Sequence, residues 1–155
     1  MKILAENKKA YYNYEILEKL DAGISLLGQE VKSLKERGIN LAGSYVVLKQ
    51  STEGRHTEVF WIGAKIFPYQ PRNIGASYNP ERSRKLLLKK SEIKYLIGKS
   101  RQKSLTLVPL KLYTKNSKIK LEFAIAKGKK KFDKRELIKK RAVEREIQRE
   151  LKLRG

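Results

Sequence analysis

The sequence predicts a mainly β fold, an antiparallel barrel with flanking helices, followed by a basic C-terminal tail. Three observations predict it. Runs of aromatic and β-branched residues recur along the chain, several of them joined by short polar turns. Two stretches carry apolar residues at helical spacing. The last 29 residues hold 13 Lys and Arg against five acids.

Each element has its own warrant. Tyr11 to Ile16 alternates imperfectly and is rich in Tyr, as in an edge or half-buried strand. Gly23-Ile24-Ser25-Leu26-Leu27-Gly28 reads as a second short strand bounded by glycines. Gln29 to Arg37 reads as a short helix, with Val31 and Leu34 on one face, Lys32, Lys35 and Arg37 pointing elsewhere, and Gly38 as its stop. Ser44 to Lys49 and Glu58 to Tyr69 are strand runs joined by the polar hairpin loop Gln50 to Arg55. Pro68, Pro71, Gly75 and Pro80 break regular structure, so Gln70 to Asn79 is expected as a long loop. Arg82 to Arg101 reads as helical, with Leu86, Leu87, Ile93, Leu96 and Ile97 on a buried face and Gly98 ending or kinking it. Leu105 to Tyr113 and Lys118 to Ile125 alternate well about the turn Thr114-Lys115-Asn116-Ser117, the clearest hairpin in the chain. About six short strands and two or three helices follow. Hairpin-joined strands with a helix between them suggest a barrel of the oligonucleotide-binding type, and another small α+β fold would share this inventory.

From Lys127 the composition changes. Val143, Ile147 and Leu151 recur at i, i+4, i+8 beside the stripe Arg141, Arg145 and Arg149. The apolar stripe is narrow, and such a helix is marginal alone in water. A tail that becomes helical on binding is expected. The expected division is residues 1–126 as the folded domain and 127–155 as the tail.

Charge narrows the function. The 155 residues carry a formal net charge of +21. Such an excess calls for a polyanionic partner, whether nucleic acid, an acidic membrane surface or an acidic protein. Four basic patches stand out: Lys8-Lys9, Lys32-Lys35-Arg37, Arg82-Arg84-Lys85 with Lys89-Lys90, and the run from Lys127. Together they suit salt-sensitive binding to RNA or DNA through phosphates. Tyr11, Tyr12, Tyr14, Tyr69, Tyr78 and Phe132 are candidates for base stacking. Tyr12 follows Lys8-Lys9 in an N-terminal arm, and Phe132 has only charged neighbours, so these two are preferred. Trp61 is expected inside the barrel, and Glu30 either contacts a base or serves as a first-turn helix carboxylate.

Enzymatic chemistry has no support. The one histidine, His56, lies in a polar loop, and no Asp, Glu and His cluster has metal-ligand spacing. No Gly-rich phosphate loop follows a strand, so no catalytic residue, metal or cofactor is assigned. There is no cysteine to form a disulfide or thiolate site. The N-terminus is too poor in apolar residues for a signal peptide, and no run approaches the ~20 residues of a membrane span. A cytoplasmic protein with no membrane partner is expected.

Several strings, in this order, resemble the small protein B family, the bacterial SsrA-binding partners of transfer-messenger RNA. They are Gly28-Gln29-Glu30-Val31-Lys32-Ser33-Leu34-Lys35, Ser44-Tyr45-Val46, Asn79-Pro80-Glu81-Arg82-Ser83-Arg84-Lys85-Leu86-Leu87-Leu88, Ala126-Lys127-Gly128-Lys129-Lys130 and Asp133-Lys134-Arg135. The resemblance implies an oligonucleotide-binding-type barrel that holds the tRNA-like domain of transfer-messenger RNA. It also implies a tail that enters the empty mRNA channel near the decoding centre of a stalled ribosome, with elongation factor Tu reached through the charged RNA. By position it puts Asn7, Lys8, Glu30, Asn40, Arg84, Lys85 and Leu87 on the RNA side. The basic patches add Lys9, Lys32 and Arg82, and stacking adds Tyr12. Lys127, Gly128, Lys129, Lys130, Lys131, Phe132, Asp133, Lys134 and Arg135 fall on the ribosomal side. The chain departs from the family pattern at Tyr12, where His is common, at Asp21 for Glu, at Asn79 for Asp, and in a longer loop from Gln50 to Thr57. The alternative is a structural ribosomal protein that binds ribosomal RNA.

Overall fold

A computed structural model describes residues 1–51, 54, 56–69 and 78–129. Among them lie seven strands and three helices, in the order β1 (Lys2–Glu6), α1 (Lys8–Asn13), β2 (Tyr14–Ile24), α2 (Gly28–Arg37), β3 (Tyr45–Gln50), β4 (Thr57–Ile62), β5 (Arg84–Leu87), α3 (Lys90–Ser100), β6 (Leu105–Lys115) and β7 (Lys118–Gly128).

Every strand pairing is antiparallel. The sheet runs β1-β6-β3-β4-β5-β2-β7, and β7 pairs again with β6. Strands β6, β3, β4, β5, β2 and β7 therefore form a closed circuit, with β1 added to the edge of β6. The circuit closes through short pairings: β3 meets β6 at Val46 and Leu107, and β2 meets β5 only at Gly23 and Ile24. The β6–β7 hairpin turns on Asn116 and Ser117, both at positive φ (51° and 66°), the mirror-image turn whose twist matches the strands. The expected four-residue turn is thus two residues, and both strands are longer than their alternation indicated.

The main core fills the circuit with Trp61, Phe123, Leu34, Leu86, Leu96 and Leu121, among others. Trp61 is fully buried as expected, and its Nε1–H donates to Ser44 Oγ at 3.1 Å. A second, smaller cluster lies under α1: Ala10, Val108, Leu110, Ala124 and Ala126. The β6–β7 hairpin is thus buried on both faces. On β7 the large residues Leu121, Phe123 and Ile125 serve the main core, while Ala124 and Ala126 serve the other. Alanine at those two positions leaves room for α1 to approach the sheet.

Four expectations change. Tyr11 to Ile16 is not one strand: Ala10 packs on the sheet, so residues through Asn13 are helical, and extended alternation begins at Tyr14. Local preference for strand at Tyr11 and Tyr12 yields to that packing. The short strand expected over Gly23 to Gly28 is the end of β2, which leaves the sheet after Ile24. Arg82 to Arg101 is not a single helix. Arg84 and Leu86 are buried while Lys85 and Leu87 are exposed, the period of a strand, and helix α3 begins only at Lys90. Gly98 lies inside α3 and does not end it. Finally, β4 ends at Ile62, because Gly63 turns the chain at φ 75°. A Cβ there would stand 3.1 Å from the Gly43 carbonyl oxygen. Strand β1 had no counterpart in the sequence reading. The expected loop Gln70 to Asn79 lies outside the described residues except at Tyr78 and Asn79.

Candidate nucleic-acid interface

The residues assigned to RNA divide by what their polar atoms already do. Glu30 and Arg84 have essentially no exposed surface. Glu30 lies in the first turn of α2, where its Oε1 accepts the Leu27 N–H at 2.8 Å. Its Oε2 accepts Arg84 Nε–H at 2.9 Å and Arg82 Nε–H at 3.2 Å, and Arg82 also donates to Oε1. The Tyr78 hydroxyl stands 3.1 Å from Oε2. Arg84 Nη2 also stands 2.7 Å from Oε2, and Nη1 and Nη2 donate to the carbonyls of Ala64 and Pro80, each at 2.8 Å. This cluster ties α2, β5 and the segment after β4 together. Burial pushes the Glu30 carboxyl up, but the two guanidiniums and the Leu27 N–H outweigh it and hold its pKa below the ordinary 4.5.

In that geometry Glu30 stands as a first-turn helix carboxylate, one of the two readings the sequence offered. Glu30 and Arg84 are internal braces, because their hydrogen-bonding atoms face one another and no solvent reaches them. Arg82 is intermediate: its side chain is 30% exposed, yet it is committed to Glu30 and to the Ser25 carbonyl. Only the alternation along β5 separates buried Arg84 from Lys85, whose Nζ is exposed and 3.9 Å from Glu58.

Five of the other assigned residues line two clefts that share no lining residue: Asn7, Lys9 and Asn40 one, Lys85 and Leu87 the other. One, of about 400 Å³, opens beside α1 and is lined by Asn7, Lys9, Asn13, Tyr14, Asn40 and Tyr45, among others. Asn7 is built in: its Nδ2 donates to the Pro109 carbonyl at 2.8 Å and its N–H to the Leu110 carbonyl at 2.7 Å. Those bonds fall at the β6 irregularity between Pro109 and Lys111, where proline brings no donor to the ladder. Asn40 Oδ1 accepts the Ala42 N–H at 3.0 Å. Tyr14 and Tyr45 share a hydroxyl–hydroxyl hydrogen bond; that bond first, then burial, pushes the Tyr14 hydroxyl up to about 12. Lys8 and Lys9 are exposed on α1, and Tyr12 is half-buried there.

The second cleft, of about 960 Å³, has an aliphatic floor that includes Leu86, Leu87 and Ile93 and a rim that includes Lys85, Lys89 and Lys90. Leu87 is 55% exposed. Asp21 lines this cleft and accepts the Tyr113 hydroxyl at 2.8 Å. Burial first, then Asp21, pushes Tyr113 up to about 12. His56 sits exposed at the same rim, 3.1 Å from Glu58. Lys32 is exposed on α2, outside both clefts. Among the described residues no group of three His, Cys, Asp or Glu side chains is placed to hold a metal, and no helix is long and apolar enough to cross a membrane.

The sequence reading missed the part of Asn13 and Tyr45 in the α1 cleft and the part of Tyr78 in the Glu30 cluster. Register brings them in, and register is not visible in composition. Of the residues assigned to the tail, Lys127 and Gly128 are the last of β7, paired with Glu15 and Tyr14. Lys129 bonds to α1. Lys130, Lys131, Phe132, Asp133, Lys134 and Arg135 lie outside the described residues.

Comparison with known proteins agrees over nearly the whole chain. The family model described as "SmpB protein" matches residues 4–153. The SsrA-binding protein of Magnetococcus marinus is 48% identical over 151 residues, covering 97% of this chain and 96% of its own. That of Syntrophobacter fumaroxidans is 50% identical, covering 96% and 88%. That of Thermosipho africanus is 48% identical, covering 98% of both. A solved chain described as "tmRNA-SmpB: a journey to the center of the bacterial ribosome" superposes with a TM-score of 0.64 at 41% identity, over 82% of this chain and 85% of that one. A match of this length and identity shows that the chain belongs to the SmpB protein family.

Proposed function

We propose that the protein is an RNA-binding adaptor of trans-translation. It binds the tRNA-like domain of transfer-messenger RNA and delivers that RNA to stalled ribosomes, so that the nascent chain is tagged and the ribosome freed. The observation that carries this reading is near-full-length identity of 44–50% to proteins named SsrA-binding protein. The neighbouring structure that pairs tmRNA with SmpB on the ribosome supports it. The chemistry of α1 and of the cleft beside it suits it too. Asparagine amides hydrogen-bond base edges, tyrosines stack on unpaired bases, and Lys8 and Lys9 neutralise phosphates.

In this reading the closed sheet is an oligonucleotide-binding-type barrel that presents both clefts rigidly to the RNA elbow. Asn7, Lys8, Lys9, Tyr12, Asn40, Lys32, Lys85 and Leu87 make the RNA contacts. Glu30, Arg82 and Arg84 hold that surface in shape. The tail from Lys130 takes the ribosomal role, ordering as a helix in an mRNA channel with no message and recovering there the free energy that ordering costs. Elongation factor Tu joins through the charged RNA. The protein works in the cytoplasm and catalyses nothing itself.

The test separates binding from rescue. The full chain should bind the isolated tRNA-like domain with a steep salt dependence, and an unrelated hairpin of equal length far more weakly. The chain cut after Lys129 should keep that binding within about twofold, because no described RNA-side residue lies beyond the cut. It should lose peptide tagging on stalled ribosomes. Equal affinity for both RNAs would sink the reading. Recovery at one copy per ribosome would favour a structural ribosomal protein instead.

A further inference from the structure

The end of β7 and the C-terminus of α1 are built into each other. Helix α1 has six residues, too few to be stable alone in water, so it depends on what holds its ends. Asn7 anchors the first end to β6. At the other end the last carbonyls need donors from outside the helix. Tyr14 N–H takes the Ala10 oxygen. Lys129 takes two more: its N–H donates to the Asn13 oxygen at 2.9 Å, and its Nζ donates to the Tyr11 oxygen at 3.0 Å. The ammonium thus lies where the helix dipole favours a cation. The register of β7 on β2, with Gly128 opposite Tyr14, brings Lys129 there.

Two regions with different tasks meet at this residue. Upstream, α1 carries Lys8, Lys9 and Tyr12 and closes one side of the polar cleft. Downstream, the basic tail begins one residue later. Its charge alone would make Lys129 one more phosphate contact, but its backbone N–H and one hydrogen of its ammonium are already engaged by the carbonyls of α1.

We infer that Lys129 is a positioning residue that couples the RNA arm to the tail: by capping α1 it makes the order of that helix and the point from which the tail leaves a single event. RNA seated on α1 then stabilises the capped state and fixes where the tail starts. By linkage, a ribosome that favours the capped state of Lys129 tightens the RNA by the same factor. The inference rests on the reading that α1 faces transfer-messenger RNA, and it names a joint within that reading.

The test uses full-length protein and two readouts. The first is amide hydrogen exchange of Tyr12, Asn13 and Tyr14 in the free protein, which reports the cap with no RNA present. The second is titration with the tRNA-like domain. Lys129→Ala should speed that exchange about fivefold and weaken the RNA by about the same factor, and Lys129→Arg should restore both. In the unaltered protein the RNA should also slow exchange at the Lys129 amide. Unchanged α1 exchange in Lys129→Ala overturns the proposal. Weaker RNA binding with unchanged exchange also overturns it, because Lys129 would then be a plain phosphate contact. So does faster exchange with unchanged affinity, which would uncouple the helix from the RNA. Failure of the unaltered protein to bind the RNA would count against the proposed function, while the exchange data would still judge the cap.

Discussion

The Glu30 cluster and the α1 cleft both gather polar residues that the sequence marks for RNA, and they use them in opposite ways. In the cluster, two guanidiniums close on one carboxylate, and every oxygen and most donors are consumed. In the cleft, Lys9 and Asn40 remain exposed around a polar opening, and Lys8 is exposed nearby on α1. The contrast teaches that a cation's place in a motif does not reveal its task. Arg84 and Lys85 are neighbours in one string and on one strand, yet one is a brace and the other a surface charge. The difference is a half-turn of the pleat.

The largest expected effect comes from breaking the brace. Arg84→Ala leaves a buried carboxylate short of a partner and should cost about 3–5 kcal/mol of stability in urea unfolding. Where the variant is still folded, the salt slope of RNA binding should not move. A slope lower by about one at unchanged stability would return Arg84 to the interface. Acid should strain the same cluster. The Glu30 pKa is lowered in the fold, so its contribution is fully present above the unfolded value of 4.5 and is lost as pH falls through the folded value. The urea midpoint should therefore drop in that acid range, and the part due to Glu30 should be missing in Glu30→Gln, which is less stable at neutral pH.

The open side should respond in binding rather than stability. Lys8→Ala with Lys9→Ala should lower the salt slope for the tRNA-like domain by about two and leave the urea midpoint nearly unchanged. A large midpoint shift would mean that these lysines brace α1 instead. The smallest effect belongs to His56, which sits exposed beside Glu58. His56→Ala should change stability by less than about 0.5 kcal/mol and leave tagging intact. Loss of tagging in a folded variant would reopen catalysis.

The sequence by itself determined a good deal. Periodicity marked α2, β3, β4 and the β6–β7 hairpin, because in each the apolar pattern and the turn chemistry agree. The net charge of +21 and the spread of lysines marked a polyanion partner. The order of the motifs marked the family. Tertiary structure decided the rest. It made a helix of Lys8–Asn13, because Ala10 packs against Ala124 and Ala126 across a hairpin more than a hundred residues away. It split the expected long helix into β5 and α3, because Leu86 pairs with Val59 on β4 and Gly23 with Leu87. It sent Glu30 and Arg84 inward and left Lys85 outside. Strand register assigns a residue to one face or the other, and register is set by pairing partners distant in the chain. No local pattern of charge contains that information.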